Sequence, residues 1–250
     1  MKARTCWTRP CNTAAPSPSF DGRTAALKRE STKASTVDTS DDGPAACRDI
    51  IPRRWRLANK TSVVTPQRFA QGHTFDAYMA SVKVNKARIL SYYKDIKIKA
   101  QDAKALRTVA QQPRGPAKAL VLAEDWCTDV VRGLPALARV AEAAGLDMRV
   151  FPRDQNSDIM REFLKQGKYE SIPTMVFYTK DMDYICHWIE RPALADKDIA
   201  AIEASIKKEK PGLDQREFGI ERRNRMSDRA PMWQQAIVEE IRDMLEKSVR

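Results

Sequence analysis

The chain has 250 residues with 44 basic and 33 acidic side chains, a net charge of +11, five cysteines and two histidines. That length holds one domain or two small ones, with a core that needs no disulfide staples. No apolar run could span a bilayer, and the N-terminus lacks the apolar centre of a secretory signal, which argues against a membrane or exported protein. The cysteines (Cys6, Cys11, Cys47, Cys127, Cys186) are odd in number and irregularly spaced, so they fit a reducing, cytoplasmic compartment better than a disulfide framework. The basic surplus is concentrated in residues 58–116, with 11 basic and 3 acidic side chains. No aromatic-and-basic interleaving accompanies it. It therefore reads as a solvated face, and nucleic acid is an unfavoured partner.

Residues 1–64 are rich in Thr, Ser, Ala, Pro and Arg, with scattered apolar side chains, and are expected to be a disordered leader. Cys6, Cys11 and Cys47 precede any histidine and do not make a zinc site. Residues 65–116 read as a helical N-terminal extension. Thr74 is a good N-cap, with Phe75, Tyr78, Met79, Val82 and Leu90 at helical spacing through about Asp95, as one helix or two. Ala100 to Gln111 is a further helical pattern, and Gln111–Pro116 is a break. His73 stands alone before the first helix and reads as a boundary residue.

Residues 117–210 alternate strand and helix. Lys118–Ala123 is a compact apolar strand. Val130, Val131, Leu134, Leu137, Ala138 and Val140 follow at helical spacing up to Gly145. Asp147–Phe151 is a second strand. A helix capped by Asn156 or Ser157 then carries Ile159, Met160, Phe163 and Leu164 to Gly167. Met175–Tyr178 and Tyr184–Ile189, joined by a short turn, form an antiparallel hairpin, and a helix runs from Asp196 through Ile206 to Lys210. The order β-α-β-α-β-β-α implies an α/β domain whose sheet has a parallel core and an antiparallel edge. Residues 211–250 form a tail, polar and irregular or weakly helical through Met226. An amphipathic helix then starts at Pro231, with Ile237, Ile241, Met244 and Leu245 on one side.

The chemistry gathers at Glu124-Asp-Trp-Cys-Thr-Asp129, where the first strand turns into the helix. Unpaired backbone N–H groups and the helix dipole there favour a thiolate at Cys127. Asp129, two residues on, opposes this by like charge; with reactive cysteines spanning roughly 3.5 to 8.5, thiol and thiolate are both open at neutral pH. Cys186 reads either as a resolving thiol or as the small buried hydrophobe that a mid-strand cysteine usually is. His187 beside it is a surface histidine or a partner for Cys127, and Glu124 with Asp125 reads as a solvated turn pair or as helix-start charges rather than a general acid and base.

This element order resembles the thioredoxin superfamily: Trp126-Cys127 stands between the first strand and helix, and Ile172-Pro173 opens the third strand 46 residues later. More closely, Glu124–Asp129 and Trp188-Ile-Glu-Arg-Pro192 are similar to a bacterial thioredoxin-like family whose members often read Glu-Asp-Trp-Cys-Gly-Asp-Cys at the first position. The resemblance covers about residues 65–210. It implies a thioredoxin-like fold, a central mixed sheet flanked by helices, with the N-terminal helical extension and the C-terminal helix added. It also implies Cys127 as attacking thiolate, Trp126 as its flanking aromatic and Pro173 as a cis-proline, with Ile172 turned outward to pair an extended peptide and Thr174 as neighbour. The second thiol of a Cys-x-x-Cys motif is replaced by Val130, and the buried acid of the first strand by Val121. The expectation is therefore a monothiol thiol–disulfide oxidoreductase without cofactor, acting on a disulfide-containing protein or a low-molecular-weight thiol. The alternative is a non-catalytic module that binds protein or peptide.

Overall fold

The computed structural model describes residues 62–249, so residues 1–61 of the leader expected over residues 1–64, with Cys6, Cys11 and Cys47, lie outside the described residues. Ser62 to Val64 already belong to the fold: the Val63 N–H donates to Glu162 at 2.8 Å and Val64 is buried.

Four strands form one sheet in the order β2-β1-β3-β4. Central β1 (Lys118–Ala123) is buried from Ala119 onward, which is why it reads as an unbroken apolar run rather than an alternating one. It pairs in parallel with β2 (Asp147–Pro152) and antiparallel with β3 (Thr174–Tyr178), which pairs antiparallel with β4 (Tyr184–Ile189). The sheet is thus mixed, with one parallel pair where a parallel core was expected. The register sets Leu122 opposite Thr174, and Thr174 opposite Ile189. The ends of β1 and β4 and the start of β3 therefore converge at one edge.

The extension is a set of four helices, α1 (Pro66–Ala70), α2 (Phe75–Ser81), α3 (Lys86–Asp95) and α4 (Ala100–Ala110). Thr65 and Thr74 cap the first two, each accepting a backbone N–H in the first turn. His73 exchanges backbone hydrogen bonds with Val150 at 2.9 and 2.7 Å, so the segment between α1 and α2 covers the outer edge of β2.

Helix α5 (Thr128–Ala144) stops at Gly145, whose φ of 72° is the left-handed conformation that glycine enters freely. It is buried almost all round, Arg132 and Gly133 included, because the sheet lies on one side while α3, α4 and the C-terminal helix pack on the others. After β2, a 3-10 turn (Arg153–Gln155) leads into α6 (Ser157–Met160), one turn long where a helix to Gly167 was expected. Asn156 does not cap α6: its side-chain oxygen accepts from Arg68 at 2.7 Å, while its side-chain N–H donates to the Pro152 carbonyl at 2.7 Å. The next residues fold into tight turns, closed by the Lys165–Tyr169 bridge with Gln166 and Gly167 at positive φ.

The second departure is at the C-terminus. α7 (Ala193–Glu209) is followed by α8, one 34-residue helix from Gln215 to Ser248, where an irregular tail and a separate helix were expected. Asp214 and Glu217 form a capping box that starts it, and the arginines that make the sequence read as a polar tail are its fastening to α7. Arg222 meets Glu203 at 2.6 Å, Arg225 meets Glu209 at 2.8 Å and Arg229 meets Asp198 at 3.1 Å. Pro231 sits inside the helix without ending it, since Trp233, Ile237, Val238, Ile241 and Leu245 are all buried beyond it. Fully buried Asp102 on α4 accepts from Arg242 and, at 3.1 Å, from Gln235 on α8.

A close approach beside the cis-proline lies at Gly133. A Cβ there would stand 3.1 Å from Pro173 Cγ and 3.8 Å from Ile237 Cδ1. Gly133→Val is expected to cost roughly 1–3 kcal/mol by overpacking. Urea unfolding checks this, as a lower midpoint at unchanged slope.

Candidate active site at the start of α5

Cys127 is the N-cap residue of α5, held at the turn by its own N–H, which donates to the Glu124 carbonyl at 3.2 Å. Its side chain is 1% exposed, and its thiol donates to the Ile172 carbonyl at 3.6 Å. The Ile172–Pro173 peptide bond is cis. Sequence positions 127 and 172–173 are thus brought together, but the Ile172 carbonyl, expected to face outward for an extended peptide, is turned to the thiol, with Ile172 itself buried. Thr174, also fully buried, fastens this turn by donating its hydroxyl to the Ser171 carbonyl at 2.8 Å.

The two acids before the cysteine are not a solvated pair. Glu124 accepts the Asp154 N–H at 2.8 Å, and its carboxyl is held above its usual range chiefly by burial. Asp125 accepts the N–H groups of Lys83 and Val84 at 2.7 and 3.1 Å, while its carbonyl takes the Asn85 side-chain N–H at 2.8 Å. One acid ties the turn to the end of β2 and the other ties it to the α2–α3 loop. Trp126 is half-buried, with the Arg153 guanidinium 5.4 Å from its ring centre.

Asp129 does not stand as a bare charge beside the thiol. Its carboxylate pairs with Arg191 at 3.3 Å and Arg132 at 3.4 Å, with side-chain exposures of only 14%, 12% and 7%. Burial still pushes the Asp129 carboxyl up and the Arg132 guanidinium down, the ion pairs offsetting part of each. Arg191 also holds Glu190 and Asp196. Glu190 donates its backbone N–H to the Pro173 carbonyl at 2.6 Å and accepts from Lys165 Nζ at 2.6 Å. The segments 124–129 and 188–192 therefore meet around the cis-proline. The role of Arg191 was not read from sequence, although its place inside the second segment was the signal.

Val130, in the place of a second thiol, is fully buried. Cys186 lies opposite Phe177, three residues along β3 from Thr174 and so about 10 Å from the site's edge of the sheet. The register does not bring it to Cys127. His187 is opposite Val176, its Nδ1 2.6 Å from the Tyr184 hydroxyl and its ring against Phe163; burial lowers its pKa. It serves a different cluster.

Sequence reasoning also missed Tyr78. Its ring is 4% exposed, and among the described residues its hydroxyl is buried without a hydrogen-bond partner. Burial first, then the nearby charges of Glu124, Asp125 and Cys127, raise its phenol well above the usual range. A buried hydroxyl left unmatched costs about 1–3 kcal/mol.

A thiol at a helix start beside a cis-proline, on a mixed sheet flanked by helices, defines a thioredoxin-like α/β protein. The family described as Thioredoxin matches residues 72–205, more than half of the chain, and the chain belongs to that family. The match begins inside the helical extension, before α2. No curated protein matches the chain. Among solved structures, the chain is similar to a protein of unknown function from Pseudomonas aeruginosa, at 14% identity over 74% of this chain and 98% of that one, with a TM-score of 0.53. An HIV epitope-scaffold is similar at 13% identity over 72% and 95%, with a TM-score of 0.50. These likenesses speak to the fold.

Arg191→Leu strands the Asp129 carboxylate and is expected to cost about 3 kcal/mol at neutral pH, the low end for a broken buried pair because Arg132 remains. The Asp129 carboxyl, already above its usual value, rises further in this variant. The deficit is therefore smallest below the ordinary aspartate range and grows as pH rises through the elevated folded value. Urea unfolding at acid and neutral pH checks both size and sign.

Proposed function

We propose that the chain is a single-thiol thiol–disulfide exchange protein working through Cys127. The Cys127 thiolate attacks one sulfur of a substrate disulfide, a new S–S bond forms, and the other half leaves as a thiolate that takes up a proton. A second thiol from solution then attacks the mixed disulfide and restores Cys127, since Val130 offers no local successor. The observation that carries this reading is the placement of the Cys127 sulfur 3.6 Å from the Ile172 carbonyl, at the start of α5 and beside the cis-proline. Substrates of this class are a disulfide-bearing protein or a mixed disulfide of a small thiol, and a reducing cytoplasmic setting supplies the second thiol. No helix among the described residues is long and apolar enough to cross a membrane.

The second reading, a binding module with an idle cysteine, is favoured by the 1% exposure of Cys127. Exchange requires the turn around Trp126 to move aside, so the native thiol is expected to alkylate slowly relative to a free one.

Reduction of a glutathione mixed disulfide, measured with wild type, Cys127→Ser and Cys186→Ser, decides between them. Activity is expected to fall to background in the first variant and stay at the wild-type rate in the second. Equal loss in both would make Cys186 the resolving thiol, and an inert wild type would favour the binding module.

A further inference from the structure

We infer that the exposed cationic face of α3, with the loop before it, is the docking surface for a disulfide-bearing protein whose cysteine is flanked by acidic residues. The inference rests on the proposed exchange and adds to it the chemistry of the substrate.

Residues 83–97 carry five cations, Lys83, Lys86, Arg88, Lys94 and Lys97, against the single acid Asp95. All five are exposed, and among the described residues none of them meets an acid in an ion pair. Cations elsewhere are matched. Arg222, Arg225 and Arg229 on α8 each meet an acid of α7, and Arg191 meets three acids at the site. Like charges left together on one short face repel one another and draw in an acidic partner.

The face also has apolar side chains to bury. Val84 is 47% exposed and Leu90 is 41% exposed. Lys86, Leu90 and Lys94 recur every fourth residue and so share one outward stripe of the helix. The inner side is committed to the domain: Ile89 is fully buried, and the Tyr93 carbonyl accepts from Arg139 Nε of α5 at 3.1 Å. Tyr92 and Tyr93 are both half-buried, which leaves no exposed ring among these cations for a nucleic-acid base to stack on and favours a protein partner.

One end of the face is locked to the thiol turn. Asp125, two residues before Cys127, accepts the Lys83 and Val84 N–H groups, and its carbonyl accepts the Asn85 amide at 2.8 Å. Asn85 stands at a φ of 61°, a left-handed conformation that asparagine tolerates better than most residues, and its amide serves Asp125 while α3 goes without a side-chain cap. The ten residues of α3 span about 15 Å, so a segment lying along the helix ends at the turn that carries the cysteine.

The test uses the full chain and two synthetic peptides, each with one cysteine held as a mixed disulfide with a small thiol, flanked by glutamates in one and by serines in the other. At low ionic strength the glutamate peptide is expected to be reduced roughly tenfold faster than the serine peptide, an advantage lost at about 1 M salt, where screening sets in within about 3 Å. Lys86→Glu combined with Arg88→Glu, both in the first turn of α3 where an acid suits the helix, should bring the ratio of the two rates to one or below. Equal rates at low ionic strength, or a ratio that either the salt or the substitutions leave unmoved, overturns the inference. Fluorescence anisotropy of a glutamate peptide with serine in place of its cysteine reads docking without chemistry. A wild type inert toward both disulfides that still binds this peptide through α3 loses exchange and keeps the docking face, whereas an active wild type that does not distinguish the peptides does the reverse. A single-stranded oligonucleotide of equal charge that binds more tightly than the glutamate peptide would assign the face to nucleic acid and also overturn the inference.

Discussion

The ion pair between Asp129 and Arg191 is the constraint on which the arrangement of the site depends. α5 is buried almost all round and the Asp129 side chain in its first turn is only 14% exposed, so that carboxylate is kept from water and must find a cation inside the protein. Arg132, on the same helix, supplies one without linking anything distant. Arg191 supplies the other from the far end of β4, and in doing so fixes the segment that follows the strand against the start of the helix. Because the neighbouring Glu190 N–H bonds the Pro173 carbonyl, the same segment also holds the cis-proline turn. Two stretches more than 60 residues apart in sequence are joined by that buried ion pair, and one backbone hydrogen bond adds the proline turn to them.

Around that joint the site is closed from three directions. α5 approaches Pro173 closely enough that a Cβ at position 133 would crowd the proline ring, α8 brings Ile237 to the same point, and the α2–α3 loop is fastened to Asp125. The thiol faces opposing influences. The helix start favours an anion, whereas the carbonyl it donates to engages only the protonated form.

Where one physical rule acted within a short window, the residues announced their structure. The Thr74 cap, the apolar run of β1, the glycine stop at Gly145 and the hairpin turn each depend on neighbours a few positions away. The juxtaposition of Cys127 with Ile172–Pro173 was legible because the two segments kept a familiar order and spacing. What stayed hidden depended on distant partners. Glu124 and Asp125 look like surface charges until the loops that donate to them are in place, and Asn156 looks like a helix cap until Arg68 claims its side-chain oxygen. The arginines from Arg222 to Arg229 read as a solvated tail because their acids lie on α7, a helix apart in sequence. Hydropathy alone cannot separate a charge that meets water from one that meets its counter-ion.

The long α8 has a consequence for the order in which the molecule is completed on the ribosome. The strands, α5 and the cis-proline turn all precede it, yet Ile237 from α8 reaches the gap between Gly133 and Pro173, and Gln234 donates to the Arg132 carbonyl at 3.0 Å. An emerging chain can therefore assemble its sheet while the cysteine turn still lacks its roof. During that interval Gly133 and the Arg132 carbonyl lack the partners that α8 supplies in the finished protein.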